Sequence, residues 1–287
     1  MLARLQTVLT WEGSTRSIAV LRILLGLIVW SEYAARHTLF HSHDPFRQLF
    51  GVVLIVSAGF MAAGLFTRVA TAACAISLVV GYHWFGVHLG MKGPYVHAHS
   101  YLAMMAVVLM AFLPSGRSLS LDRWWALRRE EHGGAPAPPE WGPLWPLALI
   151  RLQLALVYFW GAIDKTNIAF LSGSRLQQIF YFYFGSHEGM RIVFFDQLMV
   201  VSAIATVLFE YGVAFGMWFP RWRKWLIPCG VVFHGAIYLT MPVGTFSVTS
   251  CALYGAFFAP AAVHVGMERL LGVRRAPVST DSSTPQM

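Results

Sequence analysis

Residues Leu144 to Gly173, LWPLALIRLQLALVYFWGAIDKTNIAFLSG, make one apolar run on a helical period. A helix needs about 20 such residues to cross the hydrocarbon core of a bilayer, so this stretch has a membrane-length ruler built in. Asp164 and Lys165 stand side by side before the run ends. A lysine at the centre of such a helix costs roughly 2.5–3.5 kcal/mol on insertion scales, so something in the fold has to offset it. Either the lysine snorkels to the lipid surface from the end of its helix, or it is a functional amine facing a polar cavity. Burial favours the neutral form of an amine, and a neutral amine is a general base.

The rest of the chain repeats the membrane pattern. Of its 287 residues 57% are hydrophobic and only 12% charged, where a soluble domain carries roughly 25%. The expected class is therefore all-α and polytopic. Eight spans are expected, roughly Ile18–Tyr33, Leu49–Phe66, Val69–Val87, His97–Leu113, Leu144–Leu171, Gln197–Phe219, Trp225–Met241 and Val248–Val265. The aromatic, amphipathic segment Ser174–Gly189 is expected to lie in the interface or re-enter. One membrane domain is expected over residues 1–275, followed by a disordered tail over 276–287. The Gly/Pro-rich GGAPAPPEWGP between spans four and five reads as an irregular linker.

Charge sets an expected orientation. Well over half of the 21 lysines and arginines fall in segments on the same side as the N-terminus, which makes that side cytoplasmic and, with an even number of spans, puts both termini there. A cytoplasmic (inner) membrane is the expected location. The net charge of +8 sits in loops between spans and is no nucleic-acid signal. The bilayer itself is the first expected partner. Cys74, Cys229 and Cys251 all lie in apolar runs, which points to buried, inert thiols rather than a disulfide framework.

Titratable residues gather at one depth. His37, His41, His43, His83, His88, His97, His99, His187 and His234 map to the outer half, as does Lys165, whereas His132 and His264 map to the inner side. That distribution reads as the lining of a cavity near the exterior. Lys165 has Trp160 one turn back and Tyr158 further along the same helix. His97 and His99, at i and i+2, point to different sides of a helix and are not co-ligands of one metal. They are either interfacial histidines at a helix start or a means of hydrogen-bonding a substrate oxygen. His234 is either a core histidine bonded to a neighbouring helix or a site residue. Glu210, a carboxylate in mid-span, must be protonated or paired. Arg151 and Arg22 are candidate partners for acidic groups. His37 with His41, and His83 with His88, lack any HExxH or Cys/His spacing, so no metal is expected.

The order of motifs carries a resemblance. HSYLAMMAVVLMAF, SLSLDRWW, PLWPLALIRLQLALVYFWGAIDKTN, LFEYGVAFGMW and FHGAIYLTMPVGTFS follow one another, and this succession resembles the membrane domain of vitamin K-dependent gamma-glutamyl carboxylase and its bacterial relatives, the horizontally transferred transmembrane (HTTM) domain family. The resemblance runs from RILLGL, at Arg22–Leu27, to about Pro260. It implies a lysine base, here Lys165, that deprotonates a reduced vitamin K or menaquinol. Molecular oxygen and carbon dioxide are then co-substrates: the oxygenated quinol takes a proton from a glutamyl side chain, carbon dioxide traps the carbanion, and the epoxide leaves. It places His99 and His234 as polar groups positioning quinone oxygens or carbon dioxide. His97, Trp160, Tyr158, Glu210 and Arg151 are the accompanying substrate-binding candidates. A glutamate-containing peptide or protein would be the acceptor. The chain departs from the family where Asp164 replaces a second lysine and where Ala98 replaces an asparagine. Nothing globular follows the last span, so the acceptor is expected to be small or supplied by a partner. A non-catalytic quinone- or lipid-binding scaffold serving a redox partner stays open as the alternative, with a transporter third.

Overall fold

The computed structural model describes residues 10–34, 44–92, 96, 98–186, 189, 192–240 and 244–270. His37, His41, His43, His97, His187 and the tail from residue 276 lie outside them. Twelve α-helices and one short hairpin make up these residues. They are α1 (Arg16–Ile28), α2 (Pro45–Ala63), α3 (Thr67–Val79), α4 (Ala98–Met110), α5 (Leu121–Glu131), α6 (Trp145–Lys165), α7 (Ile168–Leu171), α8 (Ser174–Phe184), α9 (Phe195–Tyr211), α10 (Pro220–Thr240), α11 (Gly244–Tyr254) and α12 (Pro260–Leu270). Strands β1 (Glu12–Ser14) and β2 (Trp141–Pro143) pair antiparallel, Glu12 opposite Pro143 and Ser14 opposite Trp141.

This is an all-α, polytopic membrane fold. Four helices, Pro45–Ala63, Thr67–His88, Trp145–Lys165 and Phe195–Gly216, are long and apolar enough to cross a bilayer among the described residues, and a fifth span results if α11 and α12 count as one. The eight expected spans are therefore met unevenly. α1 carries a buried arginine, α4 has only 13 helical residues, and α10 opens on Arg221, Arg223 and Lys224. The last expected span, Val248–Val265, is not one rod. The axis turns by 98° between Gly244–Phe257 and Pro260–Leu270, because Phe258 is extended and Pro260 cannot continue the preceding helix. The stretch Leu144–Leu171 also breaks. α6 stops at Lys165, and Asn167 starts α7 by accepting from Phe170 N at 3.0 Å.

α1 is the central post. Ile18, Leu21, Leu25 and Val29 are buried and join α2, α4, α6 and α11 in one core. Gly26 lets α2 come close: a Cβ there would lie 2.7 Å from Ala62 N, the kind of small-residue contact that packs membrane helices. Three helices change pitch into π-helix at one end, over Val29–Ala34, Val80–His88 and Gly212–Gly216. Such segments re-aim the side chains beside them and recur at functional sites.

The end of the bundle carrying the hairpin is tied shut by arginines on backbone carbonyls. Arg22 donates to Ser115 O at 2.6 Å and Leu119 O at 2.5 Å. Arg223 donates to Met217 O at 2.5 Å and Phe257 O at 2.8 Å. Asp122 accepts from Phe66 N at 2.8 Å and from Thr67 N at 2.7 Å. Ser120 caps α5 by accepting from Arg123 N at 2.9 Å. Phe66 and Leu119 hold positive φ, 44° and 46°, a strained region for bulky residues that these bonds stabilise. The Ser120 and Asp122 pair is thus a structural clasp.

Candidate functional site

One stripe of α6 builds the site. Leu149, Leu152, Leu156, Trp160 and Asp164 recur at helical spacing, with Gln153, Gly161 and Lys165 beside them, and all line a cavity of about 1270 Å³. The π-helical end of α3 adds Tyr82, α4 adds Tyr101 and Met105, and α9 adds Thr206 and Glu210. The lining is mostly apolar. Tyr101, Leu149, Leu152, Leu156 and Trp160, the last 63% exposed, form its outer rim. In a bilayer that rim faces acyl chains, so the chamber opens sideways into lipid.

Lys165 closes the chamber's polar end. It occupies the last turn of α6, and its side chain folds back along its own helix, as helical geometry favours. Its Nζ donates to Gly161 O at 3.2 Å and lies 3.0 and 3.1 Å from Glu210 Oε1 and Oε2. The lysine side chain is 29% exposed and that of Glu210 only 10%. Between the two readings of Lys165, snorkelling is overturned: the amine turns inward. Its acidic partner is Glu210 rather than neighbouring Asp164, which answers the demand that a mid-span carboxylate be paired. Gly161 lies beside the meeting: a Cβ there would be in ordinary van der Waals contact with Nζ, at 3.4 Å, and Glu210 Oε2, at 3.5 Å. The π-helical Gly212–Gly216 follows Glu210 by two residues.

Tyr158, on the same helix, joins the chamber to a buried polar cluster. Its Oη lies 2.5 Å from His234 Nε2 and 2.5 Å from Tyr254 Oη. His234 is fully buried, and its Nδ1 has no hydrogen-bond partner among the described residues. It does not line the chamber, and its hydrogen bond to the wall runs through Tyr158. Tyr254 was not foreseen as a site residue; nothing in SCALY distinguishes it from a core tyrosine. Gln153 was also missed. Its Nε2 donates to Leu102 O at 3.0 Å while Oε1, buried at the chamber wall, has no partner among the described residues.

Other candidates are placed elsewhere. Arg151 is fourteen residues before Lys165, or about 21 Å along a helix. It is no chamber residue: Nε donates to Ala256 O at 2.7 Å, and the guanidinium lies over Trp11 at 4.9 Å. Neither Arg151 nor Arg22 pairs with an acid there; both serve carbonyls. His99 lies in the first turn of α4, whose Tyr101 and Met105 line the chamber. The amphipathic segment is partly realised as α8, and it does more than rest on an interface. Leu176 and Ile179 cover the chamber, and with Phe180 and Tyr183 they wall a neighbouring apolar groove of about 790 Å³. His88 stacks on Trp84 with centroids 4.6 Å apart. No three His, Cys, Asp or Glu converge as metal ligands among the described residues.

The HTTM domain family matches residues 32–261, a span that holds the chamber, Lys165, Glu210 and His234. The chain belongs to the HTTM domain family. It is thus an integral membrane protein whose membrane domain is related to that of the vitamin K-dependent carboxylases. No curated protein and no solved structure matches the chain. Within the HTTM span, the resemblance expected on motif order and the chamber built around Lys165 coincide in the same helices.

Proposed function

We propose that this HTTM protein oxygenates a lipid-tailed hydroquinone of the vitamin K or menaquinol type and couples that reaction to carboxylation of a glutamyl side chain. The observation that carries the reading is the inward turn of Lys165 Nζ into a wide apolar chamber with a lipid-facing rim. A hydroquinone hydroxyl is a weak acid, and its deprotonation calls for a base poised nearby. Lys165 is that base. Gln153 Oε1, an unsatisfied acceptor on the same wall, suits the second hydroxyl. Trp160 and the leucines of α6 hold the ring and exclude water. Tyr158, steadied by His234 and Tyr254, offers an O–H to a ring oxygen. The quinol supplies the reducing chemistry: with oxygen it yields the epoxide and one water, and the oxygenated quinol removes the glutamyl γ-proton before carbon dioxide adds.

Eight crossings with both termini in the cytoplasm, in an inner membrane, complete the proposal. The hairpin end then faces inward, where most of the basic residues lie. Cysteine-accessibility mapping on either side of each helix tests this topology.

Incubation of purified protein with reduced vitamin K without oxygen, followed by admission of oxygen, is the decisive assay. Epoxide is expected from the wild type and none from Lys165→Ala at equal folded yield. An unchanged rate in that variant would remove Lys165 from the reaction. A second reading, a quinone- or lipid-binding scaffold without catalysis, draws support from the neutralisation of Lys165 by Glu210. Quinol that binds and returns unoxidised would favour it.

A further inference from the structure

Resting on the oxygenation reading above, we infer that Glu210 is the proton store of the site: it takes a proton from the Lys165 ammonium, and the amine so freed takes the quinol's. An ammonium group has three N–H bonds and no lone pair. Lys165 Nζ has three acceptors around it, Gly161 O at 3.2 Å and the two Glu210 oxygens at 3.0 and 3.1 Å. With all three engaged, the paired ammonium has nothing to offer a quinol hydroxyl. One proton must leave it first, and Glu210 already holds the hydrogen bond along which that proton moves.

The steps balance. The Lys165 N–H bond facing Glu210 breaks and a Glu210 O–H forms, leaving an amine beside a carboxylic acid with no net charge. The amine lone pair then takes the quinol hydroxyl proton, so a quinol O–H breaks and an N–H forms. The products are a quinolate, the Lys165 ammonium and protonated Glu210. The ammonium stays beside the quinolate and stabilises it in a medium of low dielectric. No oxidant enters until oxygen meets the quinolate. Regeneration requires one proton to leave Glu210. Asp164 and Tyr158 on α6, Tyr82 on the π-helical end of α3 and Tyr101 on α4 are the other titratable groups that line the same chamber, and Tyr254 lies close enough to Glu210 to feel its charge.

The mere presence of an ion pair would not demand this role, but its setting does. A pair that only anchored two helices would not need to sit at the wall of a wide apolar chamber of about 1270 Å³. Carboxylate and ammonium here are both chamber-lining groups, so substrate and proton store share one space.

The test uses intact protein in nanodiscs and reduced vitamin K as the probe. Infrared difference spectra without oxygen are expected to show the C=O stretch of a protonated carboxylic acid when the quinol is added, and Glu210→Gln is expected to lack it. On admission of oxygen, Glu210→Gln should lose roughly a hundredfold in kcat at neutral pH, within the range of general-base contributions. It should regain rate as pH rises, because bulk solvent then removes the proton that Glu210 accepted. Glu210→Asp, which keeps a carboxylate, should retain the wild-type pH profile. Quinol binding without the carboxyl band, or a Gln variant as fast as wild type at neutral pH, would overturn the inference. Should the Gln variant fail to fold, the wild-type band and the Asp profile decide. A band with no epoxide would sink the oxygenation reading and leave the proton store standing.

Discussion

The two ends of this bundle lean on different partners for their cations. At the hairpin end, beside an Arg16–Glu140 ion pair, Arg22, Arg151 and Arg223 donate to main-chain carbonyls left over where helices stop. At the chamber end, Lys165 meets a carboxylate. A guanidinium does not release its proton in a protein, and a carbonyl cannot accept one, so the first arrangement can only bind. An amine and a carboxylate can exchange a proton, so the second can do chemistry. The orphan carbonyls explain the arginines: each helix end leaves four, and inside a membrane no water satisfies them.

Four substitutions probe that contrast. The largest effect is expected from Lys165→Ala, a loss of roughly a thousandfold or more in epoxide formation, with the folded yield kept; the oxygenation assay reads it. Arg22→Ala should do the reverse. It strips partners from the carbonyls of Ser115 and Leu119 and should cost about 3 kcal/mol or more, since each stranded group is worth about 1–3. Reversible detergent unfolding measures this, and folded molecules should keep their specific activity. If Arg22→Ala instead lost activity without losing stability, the division between the two ends would be wrong. Tyr158→Phe should cost about 1–2 kcal/mol by unpairing His234 and Tyr254, with a moderate rise in KM for the quinol. Asp164→Asn should change kcat less than about threefold, because Lys165 is bound by Glu210 and an exposed carboxylate nearby is screened. A large effect from Asp164→Asn would shift the proton chemistry to that neighbour.

Much of the architecture was legible in the sequence because apolar length and period are local properties. The runs that became α2, α3, α6 and α9 show themselves by composition alone, and so did the amphipathic face of α8. Helix breaks were less legible. The turn at Phe258 depends on Pro260, which the apolar run around it masks, and the stop at Lys165 depends on Asn167 choosing to cap. In the site, Lys165, Tyr158, Trp160 and Glu210 stand out in the sequence as costly or aromatic residues, and packing brings them to the wall of one chamber. His234 stands out as well, but its place behind Tyr158 is not legible there.

The sequence by itself determined that this chain lives in a bilayer, that a lysine ends one of its membrane-length apolar helices, and which family it belongs to. Each of these rests on residue type and order. Only the tertiary structure decided which way that lysine points and what neutralises it. Lys165 and Glu210 stand on different helices, 45 positions apart, and Asp164 next door was the nearer candidate by any linear count. Helix packing brings distant positions together and turns adjacent ones to different faces, so the partner of a buried charge is set by the packing.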